Sequence, residues 1–429
     1  MSFPRYEKYK DSGVEWLGDV PEHWEVKKLK HVKSLSPNAF VDGPFGSNLK
    51  SEHFVDDGDV YVIESNFATQ GQLRTSELKT ISYNHFESIR RSETKEGDII
   101  IAKIGAQFGK SAILGSIDKP AVVSGNSMKL TIDDEICETL WAYWQLFNLK
   151  ANGKIDLLVN ATAQPALSLG AMNELIFLLP PKNEQKKILN FLDRETTKID
   201  ELIAEQQRLI ELLKEKRQAV ISHVVAKGLN PDVPMKDSGI EWLGEVPEHW
   251  DVMALKRIAF LKSGDTITSN DIEETGEYPV YGGNGLRGYT SNYTHDGEYP
   301  LIGRQGALCG NINYAKGRFW ASEHAVVVSL IKPMIIKWLG ETLRAMNLNQ
   351  YSVSAAQPGL SVEIVSNLQL PVPPLTEQQS IATVLNREIT KIEKLIAEAK
   401  RAIELLKERR AALISAAVTG KIDVRGTML

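Results

Sequence analysis

Residues 105–111 read GAQFGKS and follow the strand-like run at 98–104, a setting that invites a phosphate-cradling reading. A P-loop places four residues between its first glycine and Gly-Lys-Ser/Thr, so that successive backbone N–H groups ring the phosphate. Three residues intervene here, and no acidic strand end stands ready to hold magnesium. The spacing therefore favours a loop between two strands, from which Lys103, Gln107 and Lys110 could face a nucleic acid. A comparable stretch at 303–310, GRQGALCG, offers Arg304 and Gln305. The chain has two cysteines, Cys137 and Cys309, too few for a zinc set, and they read as reduced thiols. No His/Cys/Ser constellation suited to nucleophilic catalysis is present.

What the loops do offer is base-reading chemistry. Arg and Lys can engage guanine edges, and Asn and Gln can engage adenine through paired hydrogen bonds. In the first half the candidates are Asn48, Lys50, Asn66, Gln70, Arg74, Arg90 and Arg91. In the second they are Asn284, Arg287, Asn292, Arg304, Gln305 and Arg318. Lys27, Lys28, Lys30 and Lys33 form a basic run suited to phosphates or to solvent rather than to bases.

The elements that must position these groups come in duplicate. Residues 11–30 and 237–256 agree at fifteen of twenty positions, and residues 195–222 and 388–415 at nineteen of twenty-eight. Trp16, Trp24, Trp242 and Trp250 lie in the first pair and read as packing anchors, with His23 and His249 as turn residues. The second pair belongs to two segments free of Gly and Pro, 182–227 and 375–419. Pro pairs precede them and Gly228 and Gly420 close them, the punctuation of a helix. Apolar residues recur at three- and four-residue spacing, which predicts a two-helix seam through Ile199, Leu202, Leu209, Leu213 and Val220, and through Ile392, Leu395, Leu406 and Leu413. Glu–Lys and Glu–Arg pairs three residues apart support exposed helix faces.

The globular regions that precede the helices carry short β-type runs at 60–63, 99–104, 128–132 and 175–179, then at 300–302, 325–331 and 368–372. Amphipathic helices are predicted at 138–149 and 335–346. The fold class is α+β: a first domain at 1–181, a helix at 182–228, a second domain at 229–374, a helix at 375–420 and a tail at 421–429. Antiparallel helices would give the repeat pseudo-two-fold symmetry and set the domains apart on a rigid spacer. Duplex DNA suits such an object, because two half-sites carry opposite polarity. Composition neither demands nor forbids this: the 429 residues carry a net charge of −5, so basic groups must be clustered rather than in excess. On duplication alone, a coiled-coil adaptor holding two protein-binding domains is an equal alternative. The polar N-terminus and the lack of an apolar run of about 18 residues lead us to expect a soluble cytoplasmic protein with no membrane association.

The blocks at 11–24 and 237–250, DSG[VI]EWLGxVPEHW, resemble the openings of target-recognition domains in type I restriction–modification specificity subunits. The PPxxEQ starts at 180–185 and 373–378 fit that family, as do the AQPxLS segments at 163–168 and 356–361 and the loops DGPFGSNLK and YGGNG. The resemblance implies a non-catalytic subunit reading an asymmetric, interrupted site in double-stranded DNA. It implies partners too: two DNA adenine methyltransferase subunits docked on the helices, and restriction (translocase and nuclease) subunits joined through them. The chain would hold no cofactor of its own. S-adenosylmethionine would serve the methyltransferase, and ATP with Mg the restriction subunit. The lack of an Asn/Asp-Pro-Pro-aromatic methyltransferase motif agrees with a non-catalytic role.

Overall fold

The computed structural model describes residues 3–71, 73–159, 165–306, 308–352 and 359–426. It divides into two compact units, residues 1–204 with 403–429, and residues 205–402. Each unit joins a mixed α/β region to part of both long helices. The first helix runs Lys182–Lys227 and the second Leu375–Val418. Gly228 (φ 77°) and Gly420 (φ 69°) follow them in the left-handed conformation that ends a helix at little steric cost.

Within the first unit Asp200 pairs with Arg410 at 2.9 Å, and Ile188 and Leu192 share a core with Ile414, Ala417 and Val418. Within the second, Arg217 lies 3.6 Å from Glu393, and Ile221 and Val224 share a core with Ile381, Leu385 and Ile389. In both units the helices therefore run antiparallel. Besides the residues that enter the α/β cores, such as Ile188, Ile221 and Val225, a row of protected positions runs along the first helix: Leu192, Thr196, Ile199, Ile203, Gln206, Ile210, Leu213, Arg217, Val220 and Val224. Their steps alternate four and three, the signature of a heptad seam. Ile199, Leu213 and Ile392 are buried in it and Val220, Leu406 and Leu413 half-buried. Three predicted seam residues are not: Leu202, Leu209 and Leu395 are 51%, 41% and 48% exposed. Each precedes an isoleucine (Ile203, Ile210, Ile396), and the isoleucine turns inward. Of the predicted charge pairs, Glu195–Lys198, Glu211–Lys214, Glu388–Lys391 and Glu404–Lys407 all close within 3.1 Å.

Both α/β regions are built on one frame. A hairpin of Tyr9–Asp11 with Asp19–Pro21 corresponds to Met235–Asp237 with Glu245–Pro247. An antiparallel pair of Glu25–Lys28 with Ile176–Leu179 corresponds to Asp251–Ala254 with Gln369–Val372. Between these shared elements the halves differ. The first has a four-stranded antiparallel sheet, ordered Ser111–Ile113, Ile99–Ala102, Ser127–Leu130, Phe40–Asp42. Beside it lies a five-stranded sheet centred on Val60–Ile63, which pairs in parallel with Ala121–Val123. The second has one six-stranded sheet, whose long strands His295–Gly303 and Ile312–Ala321 pair antiparallel. The predicted amphipathic helices are Thr139–Ala151 and Ile336–Ala345.

The repeated sequence motifs meet at the start of each long helix. The Glu184 carboxylate accepts hydrogen bonds from the Tyr6 hydroxyl (2.8 Å) and Trp24 Nε1 (3.0 Å), and its other oxygen is 2.8 Å from His23 Nε2. Glu377 does the same with Trp250 Nε1 (3.0 Å) and His249 Nε2 (2.7 Å). Next to them, Gln185 accepts from the Glu138 backbone N–H and donates to the carbonyls of Ile136 and Pro180. Gln378 accepts from Ile335 N and donates to Pro373 O. Thus one Glu-Gln pair ties the Trp segment, the amphipathic helix and the long helix together. Trp24 and Trp250 are fully buried anchors, whereas Trp16 is 39% exposed and Trp242 half-buried. His23 and His249 are partners of the carboxylates rather than simple turn residues.

Two outcomes follow for stability. Ile392→Ala should cost about 2–5 kcal/mol through the cavity it leaves, while Leu395→Ala should stay within about 0.5 kcal/mol; parallel thermal denaturation of the two variants checks this. Glu184→Ala strands the Trp24 and Tyr6 donors in a site 6% exposed at the Glu184 side chain, at about 1–3 kcal/mol for each group. Glu377→Ala should cost less, because its side chain is 40% exposed and water can replace it. Equal melting shifts for the two glutamate variants would contradict this ranking.

Candidate nucleic-acid interface

The decoy glycine loop is the best-defined part of the candidate surface. Residues 103–110 turn between two antiparallel strands, Ile99–Ala102 and Ser111–Ile113, so a strand follows where a P-loop would launch a helix. The Gly109 N–H donates to Ala102 O at 2.8 Å and Phe108 N to Gly105 O at 3.0 Å. In the second unit Gly310 N donates to Gly303 O at 2.7 Å and Cys309 N to Gly306 O at 3.0 Å. Gly105 and Gly306 have φ of 93° and 89°, Gly109 and Gly310 of 79° and 86°. The two turns are thus one structure carrying different side chains.

Each turn is buttressed in the same way. Lys103 N donates to Asn126 O, and Lys103 O accepts from Leu167 N; Arg304 N donates to His324 O, and Arg304 O accepts from Leu360 N. Isolated bridges join Ile104 to Ala166 and Gln305 to Gly359. The AQPxLS segments therefore brace the turns with their later residues; 163–164 and 356–358 lie outside the described residues.

In the first unit the structure brings two candidates together at Asp42. Lys103 is buried and pairs with Asp42 at 2.7 Å, and Arg91 approaches the same carboxylate at 3.6 Å. Lys103 is thereby corrected from a solvent-facing cation to a support. Its ammonium also lies 4.8 Å from the Phe45 ring centre, and Phe45 is 67% exposed at the loop tip. Farther along that loop Asn48 and Lys50 are exposed; the Asn48 carbonyl is 2.9 Å from His85 Nε2, and Lys50 N donates to His53 Nδ1. Gln107 and Lys110 are exposed on the turn, and Gln70 lines a shared groove with Lys110, Tyr143 and Phe147. Asn66 lies on the same short helix as Gln70, exposed, its side chain accepting from Phe67 N. Arg74 and Arg90 stand apart, paired with Glu77 and Glu87 at 3.0 Å each. Such exposed pairs are worth about 0–1 kcal/mol, so a phosphate can displace either carboxylate.

In the second unit Asn284, Arg287 and Gln305 line one concave patch with Leu286, Leu308 and His324. Arg304, half-buried, adjoins it through the chain. Among the described residues, Lys110, Arg287 and Arg304 have no acidic group within 4.0 Å. Asn292 lies in a separate cleft with Asn270, Asp271 and Trp320. Arg318 pairs with Asp296 at 3.1 Å and lies 5.0 Å over the Tyr293 ring.

Sequence reasoning missed the exposed apolar tips. Phe45, between Pro44 and Gly46, and Leu286, beside a Gly-Asn-Gly turn, are 67% and 53% exposed. A large apolar residue flanked by turn residues was the available signal. The cysteines offer no chemistry here. Both are buried, and burial pushes the Cys137 thiol up to about 12. Among the described residues no cluster of metal-ligating side chains is present, and no helix is long and apolar enough to cross a membrane.

Comparison with known proteins gives this surface its context. The family described as type I restriction modification DNA specificity domain matches residues 21–212 and 247–405, once for each half. The EcoprrI specificity subunit of Escherichia coli is 48% identical over 137 residues, spanning 31% of this chain and 34% of that one. The MjaVIII specificity subunit of Methanocaldococcus jannaschii is 23% identical over 464 aligned residues, spanning 99% of this chain and 98% of that one. A solved chain, from work on complex assembly and conformational transition of the type I restriction–modification system, has the same fold with a TM-score of 0.68. It covers 95% of this chain and 99% of itself at 14% identity. With its two matched domains and its repeated helices, the chain belongs to the family of type I restriction–modification DNA specificity subunits.

Proposed function

We propose that this subunit reads an asymmetric, bipartite site in double-stranded DNA, one half-site per domain, and recruits two adenine methyltransferase subunits and, through them, restriction subunits. Recognition belongs to residues 1–181 and 229–374, spacing to the helices at 182–228 and 375–420, and the tail spans 421–429. The observation that carries this reading is the duplicated turn: one backbone with one set of hydrogen bonds displays Gln107 and Lys110 in one copy and Arg304 and Gln305 in the other. A shared scaffold with different edges suits two unlike half-sites. The chain itself takes no cofactor; S-adenosylmethionine and ATP with Mg enter with the partner subunits, and the assembly works in the cytoplasm.

The net charge of −5 leaves DNA affinity to local clusters. Lys110→Ala and Arg287→Ala should each weaken binding on every sequence and reduce the salt slope by about 1 if they contact phosphates. Gln107→Ala or Gln305→Ala should instead relax preference at one position by about 1–3 kcal/mol. Binding titrations of the subunit with its methyltransferase partner, over a range of salt and on a library of sites, separate the two effects. Affinity that is flat with salt would refute phosphate contacts, and failure to form a complex with the methyltransferase would favour the adaptor function.

The helices supply a second outcome. Deleting seven residues at equivalent places in both helices (203–209 and 396–402) keeps the heptad and removes about 10 Å of helix. The preferred gap should shorten by about three base pairs, at 3.4 Å each, while the half-site sequences stay the same. Methylome sequencing of cells carrying the altered subunit reads both quantities; a constant gap with altered half-sites would overturn the division of labour.

A further inference from the structure

The two long helices are near copies, and a seam of Ile, Leu, Val and Ala alone would pair in several registers at similar cost. The seam also holds the uncharged Thr196 and Gln206, but only two of its positions carry a charge that pairs with an acid across it. Arg217 and Arg410 occupy equivalent seam positions in the two copies, and their side chains are only 29% and 26% exposed. Each reaches an acid on the other helix: Arg217 lies 3.6 Å from Glu393, and Arg410 lies 2.9 Å from Asp200. Arg410 also sits 5.7 Å over the Trp144 ring. The residue numbers in both pairs add to 610, so each unit independently reports the same antiparallel alignment.

We propose that Arg217 and Arg410 are register-setting residues, selecting one antiparallel alignment of the helices and rejecting its neighbours. Sliding one heptad in one direction brings Arg217 opposite Lys400 and Arg410 opposite Gln207, losing both pairs and adding a like-charge contact. Sliding the other way brings Arg217 opposite Asn386, stranding one guanidinium, while Arg410 meets Asp193. The remaining layers stay largely apolar after either slip, so the arginines carry the discrimination. A parallel pairing of equivalent positions is rejected as well, because it sets Arg217 beside Arg410. A polar residue in an apolar seam sets register in this way at a cost in stability, since its charge loses solvent on burial. In the spaced-site reading proposed above, on which only this consequence rests, a slip of one heptad would change the gap between half-sites.

The test uses the full chain without DNA, so its failure is distinct from failure of the DNA-reading function. Ile203→Cys combined with Leu406→Cys reports the native alignment, and Ile203→Cys with Leu413→Cys or Ala399→Cys reports the two slips. Crosslinking with a short bismaleimide should favour the native pair at least tenfold when both arginines are present. In the background of Arg217→Leu with Arg410→Leu that preference should fall below threefold, with the melting temperature equal or higher. The reversal Arg410→Glu with Asp200→Arg should keep the preference, since the slips set Glu at 410 opposite Gln207 or Asp193, and this covers the case in which the leucine variant fails to fold. Undiminished preference in the leucine background would overturn the proposal, as would loss of preference in the charge reversal.

Discussion

The joint between each α/β region and its long helix rests on a carboxylate that satisfies an indole N–H inside the fold. A buried Trp N–H without an acceptor loses the hydrogen bond it would have had with water. Trp24 and Trp250 therefore require Glu184 and Glu377, and these stand three residues beyond the Pro pairs that start the helices. This explains why the EHW and PPxxEQ motifs are both repeated although more than a hundred residues separate them. Neither can change alone. The adjacent glutamine extends the constraint to the amphipathic helix through backbone groups, so helix direction and domain orientation are set by the same few hydrogen bonds.

The two joints are not equally enclosed. In the first, Tyr6 adds a third donor and covers the carboxylate, and Arg425, held by Asp423 at 2.7 Å, lies 4.8 Å over the Tyr6 ring. Burial, reinforced by the Glu184 carboxylate, holds the Tyr6 phenol well above its ordinary range, so it remains a donor throughout the physiological span. The hairpin register places Asp232, which has no hydroxyl like that of Tyr6, where the first copy has Tyr6. The second joint accordingly stays open to water.

Much of this was legible in the sequence. The long helices declared themselves because proline, glycine and heptad signals agree over more than forty residues, and the longer apolar strands were visible as β-branched runs. Hairpins such as Tyr9–Asp11 with Asp19–Pro21 were not, because three residues leave no period to detect. Seam membership failed at Leu202, Leu209 and Leu395 for a geometric reason. In a Leu-Ile pair either residue satisfies a spacing of three or four, and only a partner helix decides which faces inward. Lys103 was misplaced because a lysine after an apolar strand resembles a loop cation; its anchor, Asp42, lies 61 residues away. Local pattern finds elements, whereas burial of a single charge is decided by pairing across the sheet.

The same division explains how the halves could diverge without losing their shape. The duplicated turn is held by backbone groups: Gly109 to Ala102 and Lys103 to Asn126 in one copy, Gly310 to Gly303 and Arg304 to His324 in the other. Backbone hydrogen bonds do not depend on side-chain identity, so the exposed positions can vary freely while the curve of the chain is kept. The Glu–Trp joints are the reverse case, because they are made by side chains and tolerate no comparable change. A protein that must alter what it reads while preserving how its parts are joined gains from this partition: variation is confined to positions where it costs no stability.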